Sequence, residues 1–289
     1  MTIVEPVIRP PSEARSFLLQ VTIGCSSNQC TFCDAYKSKI FQAKPIQEIE
    51  NDIIEGSRLY PNTRKVFLMD GDALVLSNSK LLPILELIIK HFPKLTRISS
   101  YANGDQISKR NIEELTALSQ HKLTLFYIGL ESGSQQILDN CKKRSSVEDM
   151  ISAVNKSTLC NIKSSVIVLL GLGGKSRSYL HVKETIKAIN KMQPRYLSFL
   201  SLMIVPGTDL YRLTLEGNFN QLSPIETLME SHNIIEGLDL NKTIFRSNHA
   251  SNYLPLEGCL PEDKNRLLKE LESTMQGITK IKPEYLRGL

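Results

Sequence analysis

The chain has 289 residues, of which 41% are hydrophobic and 22% are charged. Such proportions are typical of a globular protein and exclude an intrinsically disordered one. No apolar run approaches the roughly 18 residues of a membrane span, and the N-terminal segment lacks the features of a secretory signal. We therefore expect a cytoplasmic protein without a membrane span.

Lys and Arg outnumber Asp and Glu by 35 to 30. The excess is scattered along the chain, except for short basic clusters at residues 142–144 and 280–282. A dispersed charge permits an anionic ligand but does not indicate a nucleic-acid interface. We expect a small-molecule substrate rather than a nucleic acid.

Six short apolar runs rich in β-branched residues predict strands. They span residues 17–23, 65–69, 96–101, 123–129, 163–169 and 196–203. Amphipathic segments between them predict helices at residues 46–59, 80–91, 111–119, 146–159 and 179–190, and a further helix is expected at 261–272. This alternation predicts a parallel sheet covered by helices, either a partial barrel or a doubly wound sheet.

Three cysteines, Cys25, Cys30 and Cys33, directly follow the first predicted strand. No fourth Cys or His lies nearby, so a structural zinc site would lack one ligand. Three thiolates in a polar loop favour a four-iron cluster with one open iron, while zinc and unliganded thiols are the alternatives. The other three cysteines, Cys141, Cys160 and Cys259, are far apart and predict neither a disulfide framework nor a second cluster.

Functional residues of parallel α/β folds concentrate at the carboxyl ends of the strands. Polar or glycine-rich residues follow the second to fifth predicted strands: Asp70, Gly71 and Asp72, then Tyr101 and Asn103, then Glu131 to Ser134, and then Gly171, Gly173 and Gly174. The two aspartates could hold an ammonium group or a divalent ion, or form a solvated turn. The glycines could admit a ligand or form a plain tight turn.

Glu131 directly follows an apolar strand, where a carboxylate is costly unless it is paired or binds hydroxyl groups. Ser132 or Ser134 could cap the next helix and so be purely structural. The polar segment 246–253 could close the mouth of the sheet or contact substrate. Within it, His249 is a candidate catalytic residue, although a lone His is more often structural.

Together, the loop from Gly24 to Cys33, the turn from Asp70 to Asp72, the segment 129–134 and the glycines after the fifth strand resemble the radical S-adenosylmethionine (radical SAM) superfamily. The resemblance covers residues 15–210. Phe32 matches the aromatic residue that precedes the last Cys of the superfamily's CxxxCxxC motif, but the first gap here has four residues.

This resemblance implies that Cys25, Cys30 and Cys33 bind three irons of a [4Fe-4S] cluster and that SAM chelates the fourth iron. An electron then cleaves SAM to a 5′-deoxyadenosyl radical. Further residues are expected to contact the cofactor: Asp70, Gly71 and Asp72 at the methionine amino group, Glu131 at the ribose hydroxyls, Lys143 at the SAM carboxylate, and Phe32, Ser132 and Gly171 around them.

The resemblance predicts a partial (β/α)6 TIM-like barrel at residues 15–210, preceded by an arm at 1–14 and followed by a small C-terminal extension at 211–289. The segments 129–134 and 206–211 look most like the branch with oxygen-independent coproporphyrinogen oxidases and methylthiotransferases. We expect a radical SAM enzyme that takes electrons from a flavodoxin or ferredoxin. Tyr101, Asn103 and His249 are the candidate substrate contacts.

Two alternatives remain open at this point. An iron–sulfur carrier or redox sensor would hold the cluster without cleaving SAM, and would need neither Asp72 nor Glu131. An RNA-modifying enzyme would keep the radical chemistry and bind its partner through a basic face. The dispersed charge disfavours the RNA alternative.

Overall fold

The structure is a computed structural model, and it describes residues 2–288. The strands are β1 (Phe17–Gln20), β2 (Thr22–Ile23), β3 (Gln42–Ala43), β4 (Lys65–Met69), β5 (Arg97–Tyr101), β6 (Leu123–Glu131), β7 (Lys163–Leu170), β8 (Tyr196–Ser201), β9 (Thr243–Arg246) and β10 (Glu257–Leu260).

The helices are α1 (Ile46–Leu59), α2 (Asn78–His91), α3 (Gly104–Ser108), α4 (Ile112–Gln120), α5 (Gln135–Asn140), α6 (Val147–Leu159), α7 (Gly174–Met192), α8 (Asp209–Leu215), α9 (Pro224–Gly237) and α10 (Lys264–Met275). Between residues 2 and 288, no helix is both long enough and apolar enough to cross a membrane.

One eight-stranded sheet organises the chain, in the order β1-β4-β5-β6-β7-β8-β9-β10. Every neighbouring pair from β1 to β9 is parallel, and β10 is antiparallel to β9. β2 and β3 form a separate antiparallel hairpin. All six predicted strands are therefore present in the predicted parallel arrangement.

The sheet also contains β9 and β10, which the sequence pattern did not predict. They come from the segment expected to be only an extension after residue 210, and β9 pairs with β8. The division of the chain at residue 210 stays a prediction, and the sheet itself continues past it. β1 and β10 lie at the two edges of the sheet.

The outer face of the sheet packs against the helices. Apolar strand residues on this face are buried in the largest hydrophobic cluster, together with residues of α1, α2, α4, α6, α7, α9 and α10: they include Phe126, Ile128, Val166, Val168, Phe199 and Phe245. Because side chains alternate along a strand, the intervening residues face the interior of the barrel. The helices thus cover one face and leave the other for the site.

On the inner face, Phe67, Tyr101 and Tyr127 form an aromatic cluster with ring centroids 5.2–6.0 Å apart. These rings meet edge to face, an arrangement that the quadrupoles of aromatic rings favour. The cluster fills the interior between β4, β5 and β6.

The N-terminal arm, residues 2–14, lies across this inner face. The backbone N–H of Val4 donates to the side chain of Gln20 at the end of β1, and Val7 packs against the aromatic cluster. Glu13 is fully buried and accepts hydrogen bonds from the Tyr127 hydroxyl and an Arg97 Nη, both at 2.6 Å. The arm therefore covers the inner faces of β1, β4, β5 and β6.

The segment that follows β9 is attached to the end of β8. Asn252 donates to the Phe199 carbonyl at 2.7 Å, and the Ser201 N–H donates to the Ser251 hydroxyl at 3.2 Å. The buried Arg287 side chain donates to the Ser251 carbonyl at 2.6 Å and lies 4.0 Å from the Tyr253 ring centroid. These contacts hold the predicted mouth-closing segment beside the carboxyl end of β8.

Candidate functional site

The three cysteines lie in the loop between β2 and β3, and none of them forms a disulfide. Burial raises the pKa of both Cys30 and Cys33, and the charges of Glu131 and of the neighbouring thiols raise it further. Lys143 acts in the opposite direction on both thiols. Burial and the neighbouring negative charges therefore disfavour the thiolate forms of Cys30 and Cys33 unless a positive group lies beside them.

The four-residue gap between the first two cysteines is accommodated by a turn at Asn28. Its backbone is left-handed (φ 45°), a conformation that Asn tolerates better than most residues. The Asn28 side chain donates to the Tyr36 carbonyl at 2.9 Å, and Lys37 donates to the Asn28 carbonyl at 2.7 Å. The longer gap thus forms an anchored turn within the cysteine loop.

Asp70 joins the end of β4 to the cysteine loop. One carboxylate oxygen accepts hydrogen bonds from Gln20, from the Gly24 N–H and from Lys39, at 2.8–3.0 Å. Its other oxygen is buried without a hydrogen-bond partner. The oxygen with three donors fixes Asp70 beneath the cysteine loop. The other oxygen remains free to accept a hydrogen bond.

Gly71 allows the turn after β4 to touch the first cysteine. A Cβ at this position would lie 2.9 Å from the Cys25 Cβ and 3.2 Å from its Sγ. Real Cβ atoms do not tolerate the shorter distance, so only Gly permits this approach.

Asp72 is a fully buried carboxylate. It accepts hydrogen bonds from Asn103 Nδ2 at 2.7 Å and from the Leu74 N–H at 3.1 Å, and an Arg144 Nη lies 3.5 Å away. Burial raises its pKa to about 6, although Asn103 and Arg144 favour the ionised form. Asn103, predicted as a substrate contact, is thus bonded to the predicted cofactor-binding acid.

Glu131 ends β6 at an irregularity in its pairing with β7, and its backbone is left-handed (φ 59°). Its carboxylate lies 3.0 Å from Lys143 Nζ. Burial alone would lower the pKa of Lys143, but Glu131 and Cys30 outweigh burial and raise it. The end of β6 and the segment after α5 therefore meet at the cysteine loop.

Arg144 was not singled out from the sequence, where residues 142–144 read only as a basic cluster. It forms ion pairs with Asp105 at 3.1 Å and with Asp72 at 3.5 Å. The only signal for it was its place beside Lys143 in that cluster. Neither acid is near it in the sequence, so the pairing needs the fold.

A cleft of ≈ 380 Å³ separates the cysteine loop from this basic segment. It is lined by Ser26, Ser27, Gln29, Asp139, Lys142, Lys143 and Arg144. A second cleft of ≈ 490 Å³, on the surface of α10, contains none of the predicted site residues. Of these two clefts, only the first is lined both by residues of the cysteine loop and by the cationic side chains of residues 142–144.

Four predicted residues lie outside this group of contacts. The buried Ser132 hydroxyl is 2.8 Å from His181 Nδ1, and the Gly171 N–H donates to Glu230 at 2.5 Å. His249 contacts Ser251 within its own loop, and burial and Lys282 lower its pKa. Phe32 packs beside the small apolar cluster of Ile137, Cys141, Leu172, Leu202 and Leu210. Their expected roles stay predictions.

Tyr101 belongs to the inner aromatic cluster. Burial and the charge of Glu13 raise the pKa of its hydroxyl, Arg9 lowers it, and Glu131 contributes a smaller rise. Tyr101 therefore lies between the arm and the end of β6. Its role as a substrate contact stays a prediction.

The cysteine loop fits an iron–sulfur cluster. Within the part of the chain that the structure describes, no three His, Cys, Asp or Glu side chains are placed to hold one metal ion. In a cubane cluster each thiolate binds a different iron, so the three need not converge on one point. The Tyr36 hydroxyl and the free Asp70 oxygen are buried without partners, and Tyr36 is close enough to feel the charges of Cys25 and Cys33. Such orphaned groups are expected beside an absent ligand.

The sequence model of the Radical SAM superfamily matches residues 19–189, which is more than half of the chain. The chain belongs to the radical SAM superfamily. Its members are enzymes that use a [4Fe-4S] cluster and SAM. No curated protein is significantly similar to the chain in sequence.

Solved structures of radical SAM enzymes share the fold. Methylornithine synthase (PylB) aligns with a TM-score of 0.54 at 13% identity, over 78% of this chain and 64% of that one. Coproporphyrinogen III oxidase (HemN) from Escherichia coli aligns with a TM-score of 0.54 at 14% identity, over 77% and 52%.

The methyltransferase TsrM from Kitasatospora setae, solved with cobalamin and a [4Fe-4S] cluster, aligns with a TM-score of 0.55 at 15% identity, over 68% of this chain and 38% of that one. The present chain thus spans less than two thirds of the length of each of these three solved structures. At such identities the likeness concerns the fold alone, and it confirms the predicted α/β partial barrel.

Proposed function

We propose that Cys25, Cys30 and Cys33 bind a [4Fe-4S] cluster and that the chain uses it to cleave SAM and abstract hydrogen from a small organic substrate inside the barrel. The observation that carries this proposal is the convergence of the cysteine loop, Asp72 and the Glu131–Lys143 pair at one end of the sheet. When bound, the cluster supplies the electron that cleaves SAM to methionine and a 5′-deoxyadenosyl radical.

Asp72 is suited to bind the methionine ammonium group. Its carboxylate is held by Asn103 and the Leu74 N–H, and Ser26 of the cysteine loop lies within 3.4 Å. Arg144 is 3.5 Å away, so an incoming ammonium group would supply the buried carboxylate with a closer cation. Arg144 lies beside it and is suited to the SAM carboxylate, as is Lys143.

Glu131 is suited to the ribose hydroxyls. One of its oxygens accepts from Lys143 at 3.0 Å, and the other makes no hydrogen bond to any residue from 2 to 288. The left-handed backbone at Glu131 turns the chain directly after the strand. Because Lys143 contacts only one of the two carboxylate oxygens, the second oxygen stays available as an acceptor.

The experiment is anaerobic reconstitution with iron and sulfide, followed by reduction with SAM and assay of 5′-deoxyadenosine and methionine. We expect both products from the wild-type protein and neither from Cys25→Ser, Cys30→Ser or Cys33→Ser. Cys259→Ser, which changes a cysteine outside the loop, is the matched control and should retain activity. A stable cluster without SAM cleavage would instead support the carrier or sensor function.

The remaining parts of the proposal concern partners. A flavodoxin or ferredoxin would donate the electron, the protein would act in the cytoplasm, and the substrate would be a small molecule. Incubation of the reconstituted protein with reduced flavodoxin or with reduced ferredoxin, followed by the same product assay, tests the choice of donor.

A further inference from the structure

The hydrogen bonds of the arm stay on one side of the barrel interior. It lies against β1, β4, β5 and β6 through the contacts of Val4, Val7 and Glu13. None of the hydrogen bonds of residues 2–14 reaches β7, β8 or β9. We call the space between the arm and the inner faces of these three strands the open lumen.

Strand register identifies the residues that line the open lumen. Tyr196 packs with the inner aromatic cluster, so Ser198 and Leu200, which follow at intervals of two, face the same way. Ser198 pairs with Ile167 of β7 on one side and with Arg246 of β9 on the other. Arg246 therefore lies on the inner face, whereas its neighbour Phe245 is buried under the helices.

The wall beside Arg246 is mainly apolar. Ile167, Leu169 and Leu200 lie on the inner face and are only partly buried, although most apolar residues of the same strands are fully buried on the other face. Partly exposed aliphatic side chains in a concave space are typical of a ligand site.

Two arginines, one on this inner face and one in the arm, have no hydrogen-bond or ion-pair partner among residues 2–288. Arg246 and Arg9 are both exposed, and neither forms a hydrogen bond or an ion pair with any of the residues 2–288. Arg9 lies near Tyr101, whose hydroxyl it influences electrostatically. By contrast, the interior acids Glu13 and Glu131 are already paired, with Arg97 and Lys143.

One further acid is adjacent. Glu257 of β10 is opposite Arg246 in the strand register but does not approach it within 4.0 Å. Glu257 is exposed at the edge strand, and so it does not neutralise the guanidinium in this structure. A free guanidinium beside an apolar wall suits a planar or tetrahedral anion attached to an apolar body.

We propose that the open lumen binds a small organic anion, a carboxylate or phosphate group on an apolar body, through Arg246. The statement that this anion is the substrate rests on the proposed function. The anion site itself does not, because its binding can be measured without turnover.

The experiment uses the reconstituted protein and three probes that share a phenyl ring: benzoate, phenyl phosphate and benzamide. Calorimetric titration should show saturable binding of at least one anion, with benzamide at least about tenfold weaker, because only the anions form an ion pair with the guanidinium. The two anions distinguish a carboxylate site from a phosphate site.

Arg246→Gln should weaken binding of the preferred anion by about tenfold or more. The matched control is Arg58→Gln, an exposed arginine of the outer helix α1, which should bind like the wild type. Unchanged thermal midpoints would show that both variants fold.

Three results would overturn the inference: unchanged anion affinity in Arg246→Gln, equal affinity for benzamide, or no saturable binding of either anion. Formation of 5′-deoxyadenosine without added substrate tests only the proposed function. Failure of one assay is thus distinguishable from failure of the other.

Discussion

At the residue scale, Asp72 couples stability to pH. Its pKa of about 6 in the folded chain lies above the ordinary value near 4, because burial disfavours the carboxylate. The folded state therefore binds the proton more tightly than the unfolded state. The resulting stabilisation is present below about pH 4 and is lost as the pH rises through 6.

Asp72→Asn should accordingly raise the stability of the SAM-free protein at pH 8, by up to roughly 3 kcal/mol, and change it little at pH 4. The same variant should weaken SAM binding by about tenfold or more, since a neutral amide cannot pair with the ammonium group. Urea unfolding at the two pH values and equilibrium dialysis with SAM measure these effects. A gain that is equal at both pH values would contradict the explanation.

Gly71→Ala should prevent cluster binding while leaving the fold intact. The new Cβ would meet Cys25 at 2.9 Å, and the cysteine would have to move. Iron content and visible absorbance after reconstitution measure cluster occupancy, and circular dichroism measures the fold. Gly288→Ala is the control, because its Cβ would meet no atom within 4 Å. Normal iron content in Gly71→Ala would show that the loop can adapt.

The sequence predicted the site residues that follow directly after strands, such as Asp72 and Glu131. It could not predict which side chains they meet. Asn103 and Arg144 reach Asp72 from 31 and 72 residues further along the chain. Those segments come together only because the parallel strands lie side by side in the sheet. No local sequence pattern encodes that arrangement.

At the element scale, the hairpin of β2 and β3 is fixed to β4 by a buried ion pair between Lys39 and Asp70 at 2.8 Å. Lys39→Met should destabilise the fold by about 3–5 kcal/mol, because it leaves Asp70 as an uncompensated buried charge. In the double variant Lys39→Met with Asp70→Asn, much of this loss should be recovered. Chemical unfolding of both variants measures the difference.

Lys37→Met provides the comparison for that experiment, since Lys37 is exposed on the same loop. Its replacement should cost less than about 1 kcal/mol. Equal losses for Lys37→Met and Lys39→Met would mean that the ion pair does not hold the hairpin.

Helix positions were predicted closely where apolar periodicity was strong. α1 has the predicted ends, and α2, α4 and α6 differ by one or two residues. α7 begins at Gly174, five residues before the predicted start, because its first turns are polar and carry no periodic signal. β9 and β10 were missed because each has only four residues.

At the scale of the whole molecule, the arm is part of the barrel interior. Glu13→Ala should lower the free energy of unfolding by roughly 3 kcal/mol, because Arg97 and Tyr127 would lose their shared buried acceptor. Thermal and urea unfolding measure this loss. Glu5→Ala, at an exposed position of the same arm, should be nearly neutral. Similar values for the two variants would indicate that the arm is not held by Glu13.

The sequence predicted a parallel sheet, since alternating strands and helices favour parallel neighbours. It gave no sign that the arm enters the barrel. Residues 2–14 form no strand or α-helix, and their contacts with Gln20, Arg97 and Tyr127 are all long-range. Such contacts depend on the finished barrel and leave no local pattern.

On the proposed function, the two ligand sites draw on different parts of the chain. The residues suited to SAM follow the strands up to β6, whereas Arg246 lies on β9, a strand that pairs with β8 at the far side of the sheet. Substitution of Arg246 would then change which substrate binds without altering the cysteine loop. Under that proposal, selectivity can diverge between related proteins while the radical chemistry is retained.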